Sequence, residues 1–214
     1  MHTMSSSSNS SRFLALGDSY TIGEGVAEEG RWPMQLARQL RADGIVIDDP
    51  LIVATTGWTT DELSAAMDLA SFEPPYALVT LLIGVNNQYR GRELANYRDE
   101  FAALLARAIA LAGARSDRVV VVSIPDWGVT RFARESGRDT KEIAAAIDAF
   151  NMASHGISIA NDVAFVDVTA ASRQAGDDET MLTDDGLHPS ALQYERWTER
   201  ILPGAKRALA PLQL

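Results

Sequence analysis

The chain reads as an α/β protein, a parallel sheet covered on both faces by helices. Short β-rich runs alternate with longer helical patterns from one end to the other, the arrangement that favours parallel strands joined by right-handed crossovers. One run, Val119-Val120-Val121-Val122, is continuously apolar and β-branched, as expected of a strand buried on both sides. Apolar residues make up 46% of 214 positions, enough for one sizeable core.

The elements follow in order. Phe13–Leu16 is a short apolar strand. Pro33 suits the first turn of a helix over Pro33–Ala42, which Gly44 ends. The next strand lies within Ile45–Val53, or only in its second half. Thr59-Thr60-Asp61-Glu62 has the spacing of a capping box, with Thr59 as cap and Glu62 reaching back, and opens a helix over Asp61–Leu69. Ala77–Ile83 is a strand, Glu93–Ala112 a helix stopped by Gly113, and Val119–Ile124 a strand. Pro125–Asp139 is long and charged and reads first as a solvated loop, with a mobile wall or lid as the sharper alternative. Lys141–Asn161 is a helix and Ala164–Val168 a strand. Ser190, after Pro189, caps a last helix over Ala191–Leu209. No internal repeat or linker divides the chain, so residues 12–214 are expected to form one domain. Met1 to Ser11, mostly serine and small polar groups, are expected to be a disordered tail.

Composition excludes several functions. A formal charge of −10 argues against nucleic acid and anionic membrane surfaces as partners. There is no cysteine, which removes disulfides, thiolate catalysis and zinc–cysteine sites. The N-terminal segment lacks the apolar core of a secretory signal, and no later stretch is long and apolar enough to cross a bilayer. A soluble, cytoplasmic protein without stable membrane association is expected; its oligomeric state leaves no trace in the sequence.

In open α/β sheets, ligands gather beyond the carboxyl ends of the strands. Four positions fall there: Ser19 after the first strand, Gly57 after the second, Asn86 after the third, and His188 in the loop before the last helix. A serine hydroxyl is a poor nucleophile until a base takes its proton. Of the three histidines, His2 sits in the tail and His155 inside a helix with a solvent-facing reading, which leaves His188 as base. Asp185, three residues earlier, has the spacing to hold one imidazole nitrogen; Asp184 is its competitor, with a solvated turn as its bland role. Acyl transfer also needs donors where the carbonyl oxygen turns negative: the N–H groups of Ser19 and Gly57 and the side-chain amide of Asn86. Taken singly, Gly57 is an ordinary turn glycine and Asn86 an Asx-turn residue. Trp58, Gln88, Tyr89, Trp127 and Arg131 follow strand ends and are candidates for the substrate pocket, against ordinary packing. Gly23-Glu24-Gly25 lacks the third glycine of a dinucleotide loop, and Asp184, Asp185 and His188 lack a second histidine for a metal site. No cofactor or metal is called for.

These blocks resemble the SGNH, or GDSL-type, hydrolase family. Gly17-Asp18-Ser19-Tyr20 is similar to its nucleophile block and Thr55-Thr56-Gly57-Trp58-Thr59-Thr60 to its glycine block. Gly84-Val85-Asn86-Asn87 and Asp185-Gly186-Leu187-His188-Pro189 are similar to the third and fourth. The resemblance implies a three-layer α/β/α flavodoxin-like fold with five parallel strands in order 2-1-3-4-5. It implies Ser19 as nucleophile, His188 as base, Asp185 as orienting acid, and Ser19, Gly57 and Asn86 as oxyanion hole. Tyr20 stands where the family usually has leucine, and Asn87 where it has aspartate, a change that bears on loop hydrogen bonding. The implied activity is hydrolysis of small-molecule carboxylic esters, short-chain or acetyl, through an acyl-enzyme. Lysophospholipase, thioesterase or acyltransferase activity on the same residues, and a catalytically silent ligand-binding module, are the alternatives.

Overall fold

The computed structural model describes residues 11–210. The expected tail at 1–10 and the end of the expected domain, 211–214, lie outside the described residues. In chain order the elements are β1 (Phe13–Gly17), α1 (Ser19–Ile22), α2 (Trp32–Ala42), β2 (Leu51–Ala54), α3 (Thr60–Leu69), β3 (Leu78–Leu82) and α4 (Val85–Tyr89). There follow α5 (Leu94–Leu111), β4 (Val119–Val122), α6 (Arg131–Glu135), α7 (Thr140–Ala160), β5 (Ala164–Val166), α8 (Thr169–Ala175) and α9 (Ala191–Leu209).

The strands form one parallel sheet in the order β2-β1-β3-β4-β5. This is the three-layer α/β/α, flavodoxin-like fold with the expected order. The chain runs from β1 outward to β2, then crosses back to β3 on the other side of β1. That reversal puts one set of helices on each face. α2 packs on α9, and α9 also covers β3, β4 and β5; α3, α5 and α7 form the opposite layer, on β2, β3 and β5. At the carboxyl edge, Gly17 of β1 is level with Ala54 of β2 and with Leu82 of β3. Three strands therefore end together, and the segments that leave them must meet.

Burial follows position in the sheet. Every residue of β1, β3 and β4 is buried, whereas the edge strands β2 and β5 are partly exposed. Residues 45–50 are not strand: Asp48, Asp49 and Pro50 interrupt the apolar run, and Pro50 has no N–H for a ladder. The capping box at Thr59 is formed, and Ser190 Oγ accepts from Gln193 N–H at the start of α9.

Two expectations need correction. Ser11 is not disordered: it accepts from Asp48 N–H at 2.8 Å through its carbonyl and donates to Asp48 Oδ2 at 2.8 Å. The segment 125–139 is solvated only in its second half. Pro125–Gly128, Thr130 and Ala133 are buried, and residues 131–135 form α6. The charges that suggested solvation, from Arg131 to Asp139, sit in that second half; the first half buries Asp126 against Arg173 at 2.8 Å, and Trp127, Phe132 and Ala133 carry the packing. Among the described residues no helix is long and apolar enough to cross a membrane.

Candidate active site

Gly17 lets the chain turn sharply from β1 into α1. A side chain there would collide with the Thr21 hydroxyl and with the Leu82 carbonyl 2.5 Å away. Asp18 is fully buried and caps α1, its Oδ1 accepting from Tyr20 N–H at 3.0 Å. Its Oδ2 has no hydrogen-bond partner among the described residues. Burial, opposed by the bond from Tyr20 N–H, pushes the Asp18 carboxyl up to about 7. The Asp18 carbonyl accepts from the N–H groups of Thr21 and Ile22. Ser19, the first residue of α1, keeps its own N–H outside these bonds, and its side chain borders a cavity of ≈ 210 Å³.

Gly57 reaches the same cavity from the end of β2. Trp58 N–H bonds back to the Thr55 carbonyl at 3.2 Å, and Gly57 has φ +89°. Thr56 is not among the positive-φ residues, so this is a type II turn with glycine at the position that demands it. The turn type decides which way the Gly57 N–H points, because types I and II differ by a flip of that peptide.

Asn86 lies in the first turn of α4, directly beyond β3. One amide hydrogen goes to the Trp58 carbonyl at 2.9 Å, and the side chain lines the cavity with its other hydrogen still to give. Asn87, the family's aspartate position, is buried: it accepts from Thr60 N–H at 3.1 Å and donates to the Thr60 hydroxyl at 2.6 Å. It ties the Asn86 turn to α3, so the departure at this position falls on loop bonding.

The fourth side is the loop 183–188. Asp185 Oδ2 lies 2.6 Å from His188 Nδ1, and Oδ1 accepts from Leu187 N–H, His188 N–H and the Thr183 hydroxyl. Burial raises the carboxyl, but these bonds outweigh it and hold Asp185 at about 2. An ionised Asp185 assigns the hydrogen to Nδ1 and leaves Nε2 with its lone pair. His188 is 7% exposed and borders the cavity, its ring tilted against Tyr20 at 5.6 Å. Tyr20, the departure from the family's leucine, thus supports the histidine. Asp184 is a turn residue whose carbonyl accepts from Arg131 at 2.8 Å.

Apart from Thr56, the rest of the cavity is largely apolar. Tyr89 and Trp127 meet edge to face at 5.3 Å, with Phe132 beyond at 6.2 Å from Trp127. Tyr89 and Trp127 were expected in the lining; Trp58 and Gln88 are not in it. Trp58 packs against the core and offers its carbonyl to Asn86, and Gln88 Oε1 accepts from the Trp127 indole at 2.8 Å, behind the wall. Arg131 also stays outside, bracing the 184–186 turn. Thr56, Val85, Phe132 and Leu187 line the cavity without having been singled out: lone apolar residues such as Val85, Phe132 and Leu187 look like core, and Thr56 looks like a turn residue. His155 is exposed, its ring tilted against Phe165 at 4.6 Å. Among the described residues, no group of three His, Asp or Glu side chains comes together in a cluster that could hold a metal.

The sequence matches the GDSL-like lipase/acylhydrolase family over residues 15–196. Solved structures agree on the fold. The protein TesA superposes with a TM-score of 0.72 at 22% identity, over 92% of this chain and 99% of that one. A lipase/acylhydrolase from Enterococcus faecalis gives 0.71 at 22%, over 95% and 100%. An acetyl xylan esterase from Geobacillus stearothermophilus gives 0.67 at 18%, over 94% and 97%. No curated protein matches the sequence.

Proposed function

The chain belongs to the GDSL-like lipase/acylhydrolase family as an ester-bond hydrolase, and from that premise we propose that it is a serine esterase for short-chain carboxylic esters. Ser19 Oγ attacks the ester carbonyl while His188 Nε2 takes its proton. Asp185 keeps Nδ1 protonated and stabilises the imidazolium that results. The N–H groups of Ser19 and Gly57 and the Asn86 amide receive the developing oxyanion. The alcohol leaves with the proton from His188, and water activated by the same ring releases the acid.

The observation that carries this reading is convergence: Ser19, Gly57, Asn86 and His188, from four separate segments, border one cavity. The substrate class rests on size and lining. At about 30 Å³ per water-sized group, ≈ 210 Å³ holds roughly seven such groups, and the wall is aromatic and aliphatic. An acetyl to butyryl group with part of its alcohol fills that space. The test is a panel of p-nitrophenyl esters of rising acyl length, with sugar acetates and an acyl thioester added and Ser19→Ala as control. Turnover that peaks at short acyl groups and vanishes in Ser19→Ala is expected. A long-chain or thioester optimum overturns the substrate class; no turnover of any ester overturns the enzyme assignment.

A further inference from the structure

We propose that Arg90 is a positioning residue that anchors the 55–58 turn, and with it the Gly57 N–H, where an oxyanion requires it. The inference rests on the reading of Gly57 as an oxyanion donor.

An oxyanion hole works only if its donors are fixed before the charge appears, since reorientation during the reaction cancels the gain. Asn86 is fixed by the helix it sits in and by its bond to Trp58. Gly57 has far less support. Its turn leaves a partly exposed edge strand, and Thr55 and Thr56 are exposed. A side chain built at Gly57 would find one neighbour within 4 Å, Arg90 Nη2 at 3.7 Å. Packing therefore does not hold this glycine. The N–H it offers lies on the Thr56–Gly57 peptide, so its place depends on where the turn as a whole is anchored.

Arg90 supplies what packing does not. Nη2 donates to the Gly57 carbonyl at 2.6 Å, while Nη1 lies 3.3 Å from Glu62 Oε2. Glu62 is itself fixed as the capping-box partner of Thr59, accepting from its N–H at 2.9 Å. The guanidinium fork thus bridges the carbonyl of the turn glycine and a carboxylate on α3, a geometry that arginine's planar donors suit. Arg90 directly follows α4, and its N–H bonds to the Asn86 carbonyl at 3.0 Å. One short segment therefore carries one proposed donor, Asn86, and grips the carbonyl of the residue that carries another. With Gly57 O held by Arg90 and Trp58 O held by Asn86, the turn is anchored through the two carbonyls that follow the peptide bearing the Gly57 N–H.

The side chain of Arg90 is 42% exposed, so its removal opens no cavity. The test compares wild type, Arg90→Ala, Arg90→Lys and Gly57→Ala on p-nitrophenyl acetate, with thermal unfolding in parallel. Loss of a whole oxyanion donor costs about 10²–10³ in kcat; a donor left present but unpinned is expected to cost about tenfold. The expected result is kcat down about tenfold in Arg90→Ala, with KM and the unfolding transition little changed. Lysine, which can reach the carbonyl but not bridge to Glu62, should recover part of the loss. In a Gly57→Ala background, Arg90→Ala should add almost nothing, because both act through one N–H. Unchanged kcat in Arg90→Ala, a loss confined to KM, or a full additional loss in the Gly57→Ala background would overturn the inference. If wild type is active, Ser19→Ala is dead and Arg90→Ala is normal, only the role of Arg90 fails. If wild type turns over no ester, the functional reading fails first.

Discussion

Asp18 sits directly before the proposed nucleophile and carries a titration that should be measurable in stability. Its carboxyl is fully buried, has one oxygen without a partner among the described residues, and is pushed up to about 7 from 3.8. A carboxyl with a raised folded-state pKa binds its proton more tightly folded than unfolded. Its favourable contribution is complete below about pH 4 and is lost as pH rises through about 7. Three units at about 1.4 kcal/mol each give about 4 kcal/mol of stability lost between those limits, treated as an upper bound. Asp18→Asn keeps an acceptor for Tyr20 N–H and removes the ionisation. Its added amide hydrogens cost about 1–3 kcal/mol if they find no acceptor, at every pH. The diagnostic quantity is therefore the change in ΔΔG with pH. Urea unfolding of both proteins at about pH 4.5 and about pH 8.5 should show Asn gaining about 2–4 kcal/mol on Asp across that interval. A ΔΔG independent of pH would refute the argument that burial dominates at Asp18.

Further expectations concern the site itself. Asn86→Ala should lower kcat on p-nitrophenyl acetate by about 10²–10³, while the lost bond to Trp58 costs only about 1–3 kcal/mol of stability; equal activity in a normally folded protein would remove Asn86 from the oxyanion hole. Phe132→Ala, at the half-buried end of the aromatic wall, should move the acyl-length optimum toward longer chains and cost about 1–3 kcal/mol, less than a fully buried phenylalanine; an unchanged profile would place the acyl group elsewhere. Asp185 is held below its ordinary range, so the stability it contributes is present above about pH 4 and lost as pH falls toward about 2. Asp185→Asn should flatten that acid limb in a pH series of unfolding curves, and an unchanged limb would count against the bond to His188.

Much of this architecture is written locally. α9 spans Ala191–Leu209, as Ser190 and the apolar periodicity indicate, and β4 coincides with its unbroken valines. The parallel sheet follows from alternation, and the meeting of Ser19, Gly57 and Asn86 at one edge follows from three strands ending level. The short helices α1 and α4 were not legible. Four or five residues show no periodicity; α1 depends on the Asp18 cap, and α4 turns off the end of β3 at Gly84 with no side-chain cap. Pocket lining was only half legible for a related reason. In the 55–58 turn, backbone geometry alone decides that Gly57 faces the cavity and Trp58 packs on the core. Likewise, Gln88 and Tyr89 are neighbours in α4, and only the helix phase sends Tyr89 to the lining and Gln88 behind Trp127. Buried Asp126 shows the converse limit: nothing nearby in sequence announces that Arg173 will pair with it.

If Ser19 is the nucleophile, an ester-site electrophile must become attached there. The protein is treated with a fluorophosphonate, digested, and the adduct located by mass spectrometry in wild type, Ser19→Ala and His188→Ala. A single adduct on Ser19 is expected, absent in Ser19→Ala and formed far more slowly in His188→Ala. An adduct on another residue, or labelling that persists undiminished in Ser19→Ala, would contradict that role for Ser19.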